Sequence, residues 1–353
     1  MIKNPEYIIA RHKQFFEDGE RNFLLGLFVR HKESNIFSWQ EMLDSPEKAL
    51  RERLNALSLT LQIDSDILPP IMHNRMLWPV ASMFGAPMET VNGNAWVLPV
   101  IKDIHMVWDM HLPSLTSGYM PKVIEALQYF KDHAPPSMPI TPPSEHGPLN
   151  IATMLRGKEF FTDIYDHPIE VHRLLDMVTE TILAVERCYK DVLGEPQRYR
   201  LTKTGYFVSG IRLAIDSNIN ISPEMIEQFE MPYLSRIADE FGNLAVHYCG
   251  VDSAPGYHLA RTLAKYEFIT ALDTQIPVYF SHDPTSWERD RPKLVAICES
   301  SRLEDFILTH LERLRHSNGI FFYAEPETIE EAVSLLNRWP RLRDKLFDGE
   351  VSL

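Results

Sequence analysis

Seven residues, Leu244-Ala245-Val246-His247-Tyr248-Cys249-Gly250, give the clearest indication of this chain's architecture. Their apolar start is typical of a buried β-strand, in which alternate side chains face opposite sides. His247 and Cys249 would then share one face, with Cα atoms roughly 6–7 Å apart. Because Gly250 ends the strand, the pair would lie at its carboxyl end, the edge that carries the chemistry in α/β barrels.

The shared face of His247 and Cys249 has two interpretations. An imidazole and a thiolate at that separation can both reach one Zn²⁺, through bonds of about 2.1 and 2.3 Å. Alternatively, the cysteine is a small buried hydrophobe and the histidine is a hydrogen-bonded core residue. These two residues alone leave both interpretations open.

The rest of the chain alternates predicted strands with predicted helices. Alternation of this kind implies a parallel sheet covered by helices on its faces. Adding Leu24–Val29, Ile67 and Ile140 gives about eight strands, which predicts one closed (β/α)8 TIM barrel over residues 1–353, with 86–120 as an irregular insert near its mouth. The other predicted strands are Tyr199–Thr204, Leu244–Cys249, Phe268–Asp273, Lys293–Cys298 and Gly319–Ala324, and the main predicted helices are Pro121–His133, Leu149–Leu155, Pro168–Leu193, Pro223–Glu240, Tyr257–Tyr266, Leu303–His316 and Pro326–Trp339.

Composition excludes several classes of function. The chain has 35 Lys and Arg against 49 Asp and Glu, a formal charge of −14, which disfavours nucleic acid and anionic membrane surfaces as partners. Its three cysteines make no disulfide framework. No apolar run reaches the roughly 18 residues of a membrane span, and residues 1–18 lack a signal-peptide core, so we expect a cytoplasmic protein.

Several local signatures, in this order, resemble the uroporphyrinogen decarboxylase-like superfamily. That group contains uroporphyrinogen decarboxylase and the zinc-dependent methyltransferases that take a methyl group from a methylated corrinoid protein. The segments that carry the resemblance are Asp64 to Pro70, Ala81-Ser82-Met83-Phe84-Gly85, Gly147-Pro148, Leu155-Arg156-Gly157-Lys158-Glu159-Phe160, Asp166-His167-Pro168 with Val171-His172-Arg173-Leu174-Leu175, Ile221-Ser222-Pro223-Glu224 with Phe229 and Pro232-Tyr233, and His247-x-Cys249-Gly250.

The chain departs from the superfamily pattern in two places, one for each branch. The arginine-rich segment and the Gly-Phe-Ala-Gly-Ala-Pro loop of uroporphyrinogen decarboxylase are missing, which argues against tetrapyrrole decarboxylation. The position of the second zinc-binding cysteine of the methyltransferases falls near Glu325, which is also placed to favour the dipole of the following helix.

The resemblance implies a Zn²⁺ site and a methyl transfer. The ligands would be His247, Cys249 and Glu325, with Cys298 as a competing third ligand, and one position would stay open. The methyl group would pass from a methylcorrinoid, free or on a corrinoid protein, to a small thiol or a folate-type acceptor.

Two other functions stay open: a metal-free decarboxylase acting on a carboxylated small molecule, and a catalytically degenerate barrel that serves as a binding subunit.

Further candidate residues lie at predicted strand ends. Candidate catalytic residues are Asp273, Asp216 and Glu145, and candidate substrate-binding residues are Arg30, Lys32, Asp66 and His146.

Overall fold

The computed structural model describes residues 5–31, 36–73, 78–91, 94–196, 198–249, 257–275 and 292–347. The strands are β1 (Phe23–Leu27), β2 (Ile71–Met72), β3 (Met88–Val91), β4 (Asn94–Val97), β5 (Ile140–Thr141), β6 (Tyr199–Leu201), β7 (Phe207–Ser209), β8 (Ile211–Ala214), β9 (Leu244–His247), β10 (Ile269–Gln275), β11 (Lys293–Cys298) and β12 (Ile320–Ala324).

Helices occupy most of the remaining described chain. The α-helices are α1 (Pro5–Phe16), α2 (Trp39–Asp44), α3 (Pro46–Leu57), α4 (Pro79–Met83), α5 (Met120–His133), α6 (Pro148–Arg156), α7 (Phe160–Asp166), α8 (Pro168–Leu193), α9 (Pro223–Phe229), α10 (Met231–Phe241), α11 (Tyr257–Leu263), α12 (Leu303–Thr309), α13 (Leu311–Arg315) and α14 (Ile329–Phe347). Short 3₁₀ helices cover Thr60–Gln62, Ile104–Trp108, Asp216–Asn220 and Ser300–Arg302.

Six parallel strands form the central sheet, in the order β1-β12-β11-β10-β9-β8. The first strand of the chain therefore pairs with the last, as a barrel requires. A separate parallel pair joins β2 and β5, and two antiparallel hairpins join β3 to β4 and β6 to β7. The fold is α/β with a parallel centre, as the alternating pattern predicts.

The sheet does not close into a continuous barrel within the described residues. Isolated hydrogen bonds extend both of its edges instead. Asp66 N–H donates to the Leu25 carbonyl at 2.8 Å, and Ala214 N–H donates to the Glu145 carbonyl at 3.1 Å. Prolines explain why the two intervening segments pair so little, since they lack the N–H that a ladder needs; they are Pro69, Pro70, Pro139, Pro142 and Pro143. The arrangement is compatible with the predicted barrel, and the closed sheet is not observed.

Alternation along the strands creates two separate cores. One face packs on the surrounding helices through the larger apolar cluster. The other face carries a smaller cluster, completed by α1 and the β6–β7 hairpin. Its members are Leu24, Ala245, Ala271, Val295, Phe321 and Tyr323 from the sheet, Phe15 and Phe16 from α1, Ile67, and Tyr206 and Val208 from the hairpin.

The strand predicted at Tyr199–Thr204 is present over Tyr199–Leu201, but it does not belong to the central sheet. That segment forms β6 of a hairpin, and the sheet uses Ile211–Ala214 instead. Arg212 interrupts the apolar run of β8 and hides it from a pattern search. The predicted second strand, at Asp64–Pro70, is likewise an extended loop that precedes β2.

The predicted helix Pro223–Glu240 is two helices that meet at Glu230. Pro232 lies in the first turn of α10, where an N–H group would have no intrahelical partner. The proline cannot continue the preceding helix α9, because it lacks the N–H that this helix would need. The predicted helix Leu303–His316 is also divided, at His310. The last helix starts later and ends later than predicted, at Ile329 and Phe347.

Residues 86–120 contain more regular structure than predicted. They hold the β3–β4 hairpin and the 3₁₀ helix Ile104–Trp108. Arg173 on α8 donates from Nε to the Val107 carbonyl at 2.8 Å, so this 3₁₀ helix packs against α8. In the part of the chain that the structure describes, no helix has the length and apolar character to span a bilayer.

The close approach of β8 to β9 depends on Gly210. This residue has φ +81°, and an added Cβ would lie 1.5 Å from the Asn243 carbonyl oxygen. We expect Gly210→Ala to lower the free energy of unfolding by several kcal/mol because the backbone must shift. Gly85→Ala is the matched control, since φ is +83° and nothing lies within 4 Å of its Cβ; it should cost only about 1–2 kcal/mol. Urea denaturation of both variants measures the difference, and equal losses would contradict the role of Gly210.

Candidate metal centre

Three potential ligands meet at the carboxyl edge of the sheet. His247 ends β9, Cys249 follows two residues later, and Asp216 lies just after β8. His247 Nε2 is 3.3 Å from Cys249 Sγ and 3.8 Å from Asp216 Oδ1. Their ligand atoms all lie within 4.8 Å of one another, and no other trio of His, Cys, Asp or Glu in the described ranges does so.

Parallel pairing brings Asp216 to this place. Ala214 of β8 is in register with His247 of β9, so the residues that follow both strands emerge side by side. Cys249 N–H donates to Asp216 Oδ1 at 2.6 Å. Burial raises the pKa of Asp216, but the neighbouring His247 and His146 outweigh that effect and lower the pKa overall. The side chain is therefore a carboxylate, the form that binds a metal.

A buried carboxylate orients His247 from behind. Asp273 Oδ1 lies 3.2 Å from His247 Nδ1, and Asp273 has no solvent exposure. Its other oxygen accepts from Arg212 Nε at 2.8 Å and from the Tyr206 hydroxyl at 2.9 Å. Burial alone would raise the pKa of Asp273, but Arg212 and His247 hold it well below its usual range. A proton on Nδ1 would then face Asp273 and leave the Nε2 lone pair directed at Cys249.

Cys249 is a thiol in the absence of a cation. Burial, reinforced by Asp216, raises the pKa of Cys249 to about 12. A bound metal ion reverses such a preference because it stabilises the thiolate directly.

His146 lies on the other side of Asp216. Its Nε2 is 3.9 Å from Asp216 Oδ2, and its ring packs edge-on against Trp78 with centroids 4.3 Å apart. Burial lowers the pKa of His146 to about 3. A neutral imidazole and an indole therefore form one wall of the centre.

A cavity of about 850 Å³ opens beside His247. Lys203 and Arg212 line it together with His247, and Arg30 and Glu325 also contribute. Sequence reasoning missed both Lys203 and Arg212. Arg212 itself breaks the apolar run of β8, so the sequence gives no signal for this residue, and no local pattern distinguishes Lys203.

The two residues predicted to complete the metal site do not join the trio. Glu325 accepts from Arg30 Nε at 3.0 Å and from the Tyr323 hydroxyl at 3.3 Å. Cys298 Sγ donates to the Ala296 carbonyl at 3.2 Å. Both line the cavity, but Asp216 is the residue beside His247 and Cys249. The choice of the third residue depends on how far each predicted strand end lies from His247. That distance cannot be read from the sequence.

Two predicted site residues have structural partners instead. Asp66 forms an ion pair with Arg11 and accepts from Leu25 N–H at 3.0 Å, which fixes the loop beside β1. Glu145 accepts from the Tyr189 hydroxyl of α8 at 3.0 Å. The candidate Lys32 lies outside the described residues.

Solved structures include a protein that resembles this chain over nearly its whole length. No family model matches the chain, and no curated protein matches it. Among solved structures, a methyltransferase from Methanosarcina mazei superposes with a TM-score of 0.65 and 16% sequence identity, covering 96% of this chain and 99% of that one. At this identity the similarity establishes a shared fold over nearly the whole of both chains.

Burial, together with Glu186, raises the pKa of Glu145 to about 8, from an ordinary value of 4.5. Between these two pH values the native state keeps a proton that the unfolded chain releases. The stabilising contribution of protonated Glu145 is therefore complete below about pH 4.5 and is lost as pH rises through about 8. We expect the melting temperature of Glu145→Gln, relative to the unmodified protein, to increase between pH 5 and pH 9. Glu89→Gln, at an exposed position, is the control. A pH-independent difference for Glu145→Gln would refute this account.

Proposed function

We propose that this protein is a Zn²⁺-dependent methyltransferase that moves a methyl group from a methylated corrinoid to a small thiol. The observation that carries the proposal is the convergence of Asp216, His247 and Cys249, with Asp273 behind the histidine. The shared fold with a methyltransferase is consistent with it but does not specify metal, donor or acceptor.

The trio fits zinc by chemistry and by spacing. Nitrogen, sulfur and oxygen donors are the ligands that zinc takes, and three protein ligands with one open position are typical of a catalytic site. At ordinary bond lengths, ligand atoms around a tetrahedral zinc lie about 3.5 Å apart. The separations of 3.3 Å and 3.8 Å from His247 Nε2 lie close to this value, so little rearrangement is needed.

The residues behind the trio match a metal centre as well. A histidine ligand commonly donates its second ring N–H to a carboxylate, which fixes the ring and its tautomer. Asp273 supplies that carboxylate, and Arg212 keeps it ionised. The pair of Arg212 and Asp273 is neutral overall, so it orients His247 without adding net charge.

Zinc bound here would lower the pKa of an acceptor thiol at the open position and hold its thiolate near neutral pH. The chain would then position that sulfur. His247, Cys249 and Asp216 would hold the ion, and Trp78 and His146 would exclude water from one side of it. Holding donor and acceptor in line lowers the barrier to transfer.

The cavity suits a small acceptor. Its volume of about 850 Å³ falls within the range of roughly 300–1,000 Å³ that small-molecule sites occupy. We propose that the acceptor occupies this cavity and that the corrinoid, free or on a partner protein, approaches from its opening. A folate-type acceptor would not use the open position in the same way, because it has no thiol.

Two alternative functions receive less support. A metal-free decarboxylase would need Asp66, Arg30 and Asp273 for its substrate, but each is engaged by another side chain. A non-catalytic binding subunit would not need three metal-binding side chains in close proximity, with a buried ion pair behind the histidine.

Zinc content tests the ligand assignment. We expect about one zinc per chain in protein purified without a histidine tag, and a large loss in Cys249→Ser and Asp216→Asn because each removes a ligand. Glu325→Gln and Cys298→Ser, which alter the cavity beside His247 but not the trio, are the controls and should keep their zinc. Elemental analysis gives the readout. A protein that binds no zinc when zinc is supplied would overturn the proposal.

Activity should depend on that zinc. We expect zinc-loaded protein to demethylate free methylcobalamin in the presence of 2-mercaptoethanol, and Cys249→Ser to lower the rate by at least about a hundredfold. Absorbance of methylcobalamin follows the reaction, and chelation followed by zinc addition should stop and restore it. Carbon dioxide release from a carboxylated substrate, with no methyl transfer, would favour the decarboxylase.

A further inference from the structure

Asn150 is the one polar residue among the side chains that α6 buries, and it is 3% exposed. Burying an amide is costly unless it forms hydrogen bonds. An asparagine in the first turn of a helix commonly bonds backbone groups of its own turn. Asn150 Oδ1 instead accepts from the N–H of Ser217, which lies 67 positions along the chain and 2.7 Å away. The amide therefore joins α6 to a distant segment.

That segment carries a candidate metal ligand, because Ser217 directly follows Asp216. The residue before Asp216 is held as well: Ile215 N–H donates to the His247 carbonyl at 2.8 Å. The backbone is thus fixed on both sides of Asp216, by β9 through Ile215 and by α6 through Asn150. The contact with Asn150 is made by a side chain outside the trio, so it can be removed without removing a ligand.

The first turn of α6 is itself fixed to its surroundings. Glu230, where α9 meets α10, has no solvent exposure and accepts from Leu149 N–H through Oε2 at 2.9 Å. Gly147 N–H donates to the Ala214 carbonyl at 2.8 Å, which ties the start of the helix to β8. An added Cβ at Gly147 would lie 2.5 Å from Ile215 Cγ2 and 2.7 Å from Glu230 Oε1. Packing this close leaves α6 little room to shift relative to the turn that it holds.

Loss of this hydrogen bond would affect metal binding through Asp216. The 3₁₀ helix Asp216–Asn220 begins at the ligand itself, so the orientation of this turn sets the direction of the carboxylate. Without Asn150 the Ser217 N–H would lose its partner, and the turn would gain conformational freedom. Binding an ion would then have to restore that order, which lowers the affinity.

We propose that Asn150 is a positioning residue for the metal centre, and that its hydrogen bond to Ser217 holds Asp216 where it can bind the same ion as His247. This assignment rests on the Zn²⁺ site of the proposed function. It goes beyond that site by naming a residue outside the trio that determines its affinity for the ion.

Zinc affinity, measured by competition with a chromophoric chelator, tests the assignment without an activity measurement. We expect Asn150→Leu, which has nearly the same volume but no acceptor, to weaken zinc binding by about tenfold to a hundredfold. Asn150→Asp keeps an acceptor oxygen and adds its charge in the first turn of the helix, where negative charge is favourable. It should bind zinc within about threefold of the unmodified protein. Asn150→Ala removes the same acceptor and replaces Asn150→Leu if the leucine prevents folding.

A double-mutant cycle separates positioning from a general loss of structure. In the Asp216→Ala background the positioned ligand is gone, so Asn150→Leu should weaken the remaining zinc binding by less than about twofold. Thr153→Val is the matched control on α6, because it removes the hydrogen bond from the Thr153 hydroxyl to the Leu149 carbonyl at 2.8 Å and leaves the turn untouched. It should not change the zinc affinity.

Unchanged zinc affinity in the folded Asn150 variants, or an equal loss with and without Asp216, would overturn the positioning role and leave the zinc site intact. Failure of the unmodified protein to bind zinc would instead overturn the proposed function, and the role of Asn150 with it.

Discussion

The ion pair between Arg212 of β8 and Asp273 of β10 is the constraint on which the centre depends. Both side chains are almost fully buried inside the sheet, where an unpaired charge would cost several kcal/mol. Two further hydrogen bonds hold the pair: the Tyr206 hydroxyl donates to Asp273, and Arg212 donates to Ser144 Oγ at 3.0 Å. Because Asp273 also accepts from His247 on β9, one charged group fixes three successive strands and the orientation of the histidine.

Parallel strand pairing then concentrates the reactive groups. All strands of the central sheet end at the same edge, so the residues after β8 and β9 emerge together although they are distant in sequence. Asp216 and Cys249 are such residues, and their hydrogen bond at 2.6 Å shows how closely the two loops approach. A metal site of three different donors thus needs no dedicated loop, only two strand ends in register.

The inner face of the sheet divides along the strands into an apolar part and a polar part. Phe15, Phe16, Tyr206 and Val208 fill the apolar part against the sheet, and Arg212, His247 and Asp273 form the polar part. Burial of the aromatic side chains stabilises the fold independently of the centre. The hairpin belongs to both parts, because Tyr206 packs in the core and hydrogen-bonds Asp273, while Lys203 reaches the cavity.

Local features of this protein are predictable from its amino-acid sequence. Strand β11 and helix α8 have the predicted bounds, and His247 and Cys249 lie together as their two-residue spacing predicts, although β9 ends at His247. Tertiary structure alone decided the rest. It placed Asp216 rather than Glu325 or Cys298 in the trio, because the meeting of strand ends depends on register between distant segments. It also decided the positions of β8 and Lys203. Arg212 breaks the apolar pattern of β8, and its partner Asp273 is known only from the folded structure. No local pattern shows that Lys203, in the hairpin turn, lines the cavity.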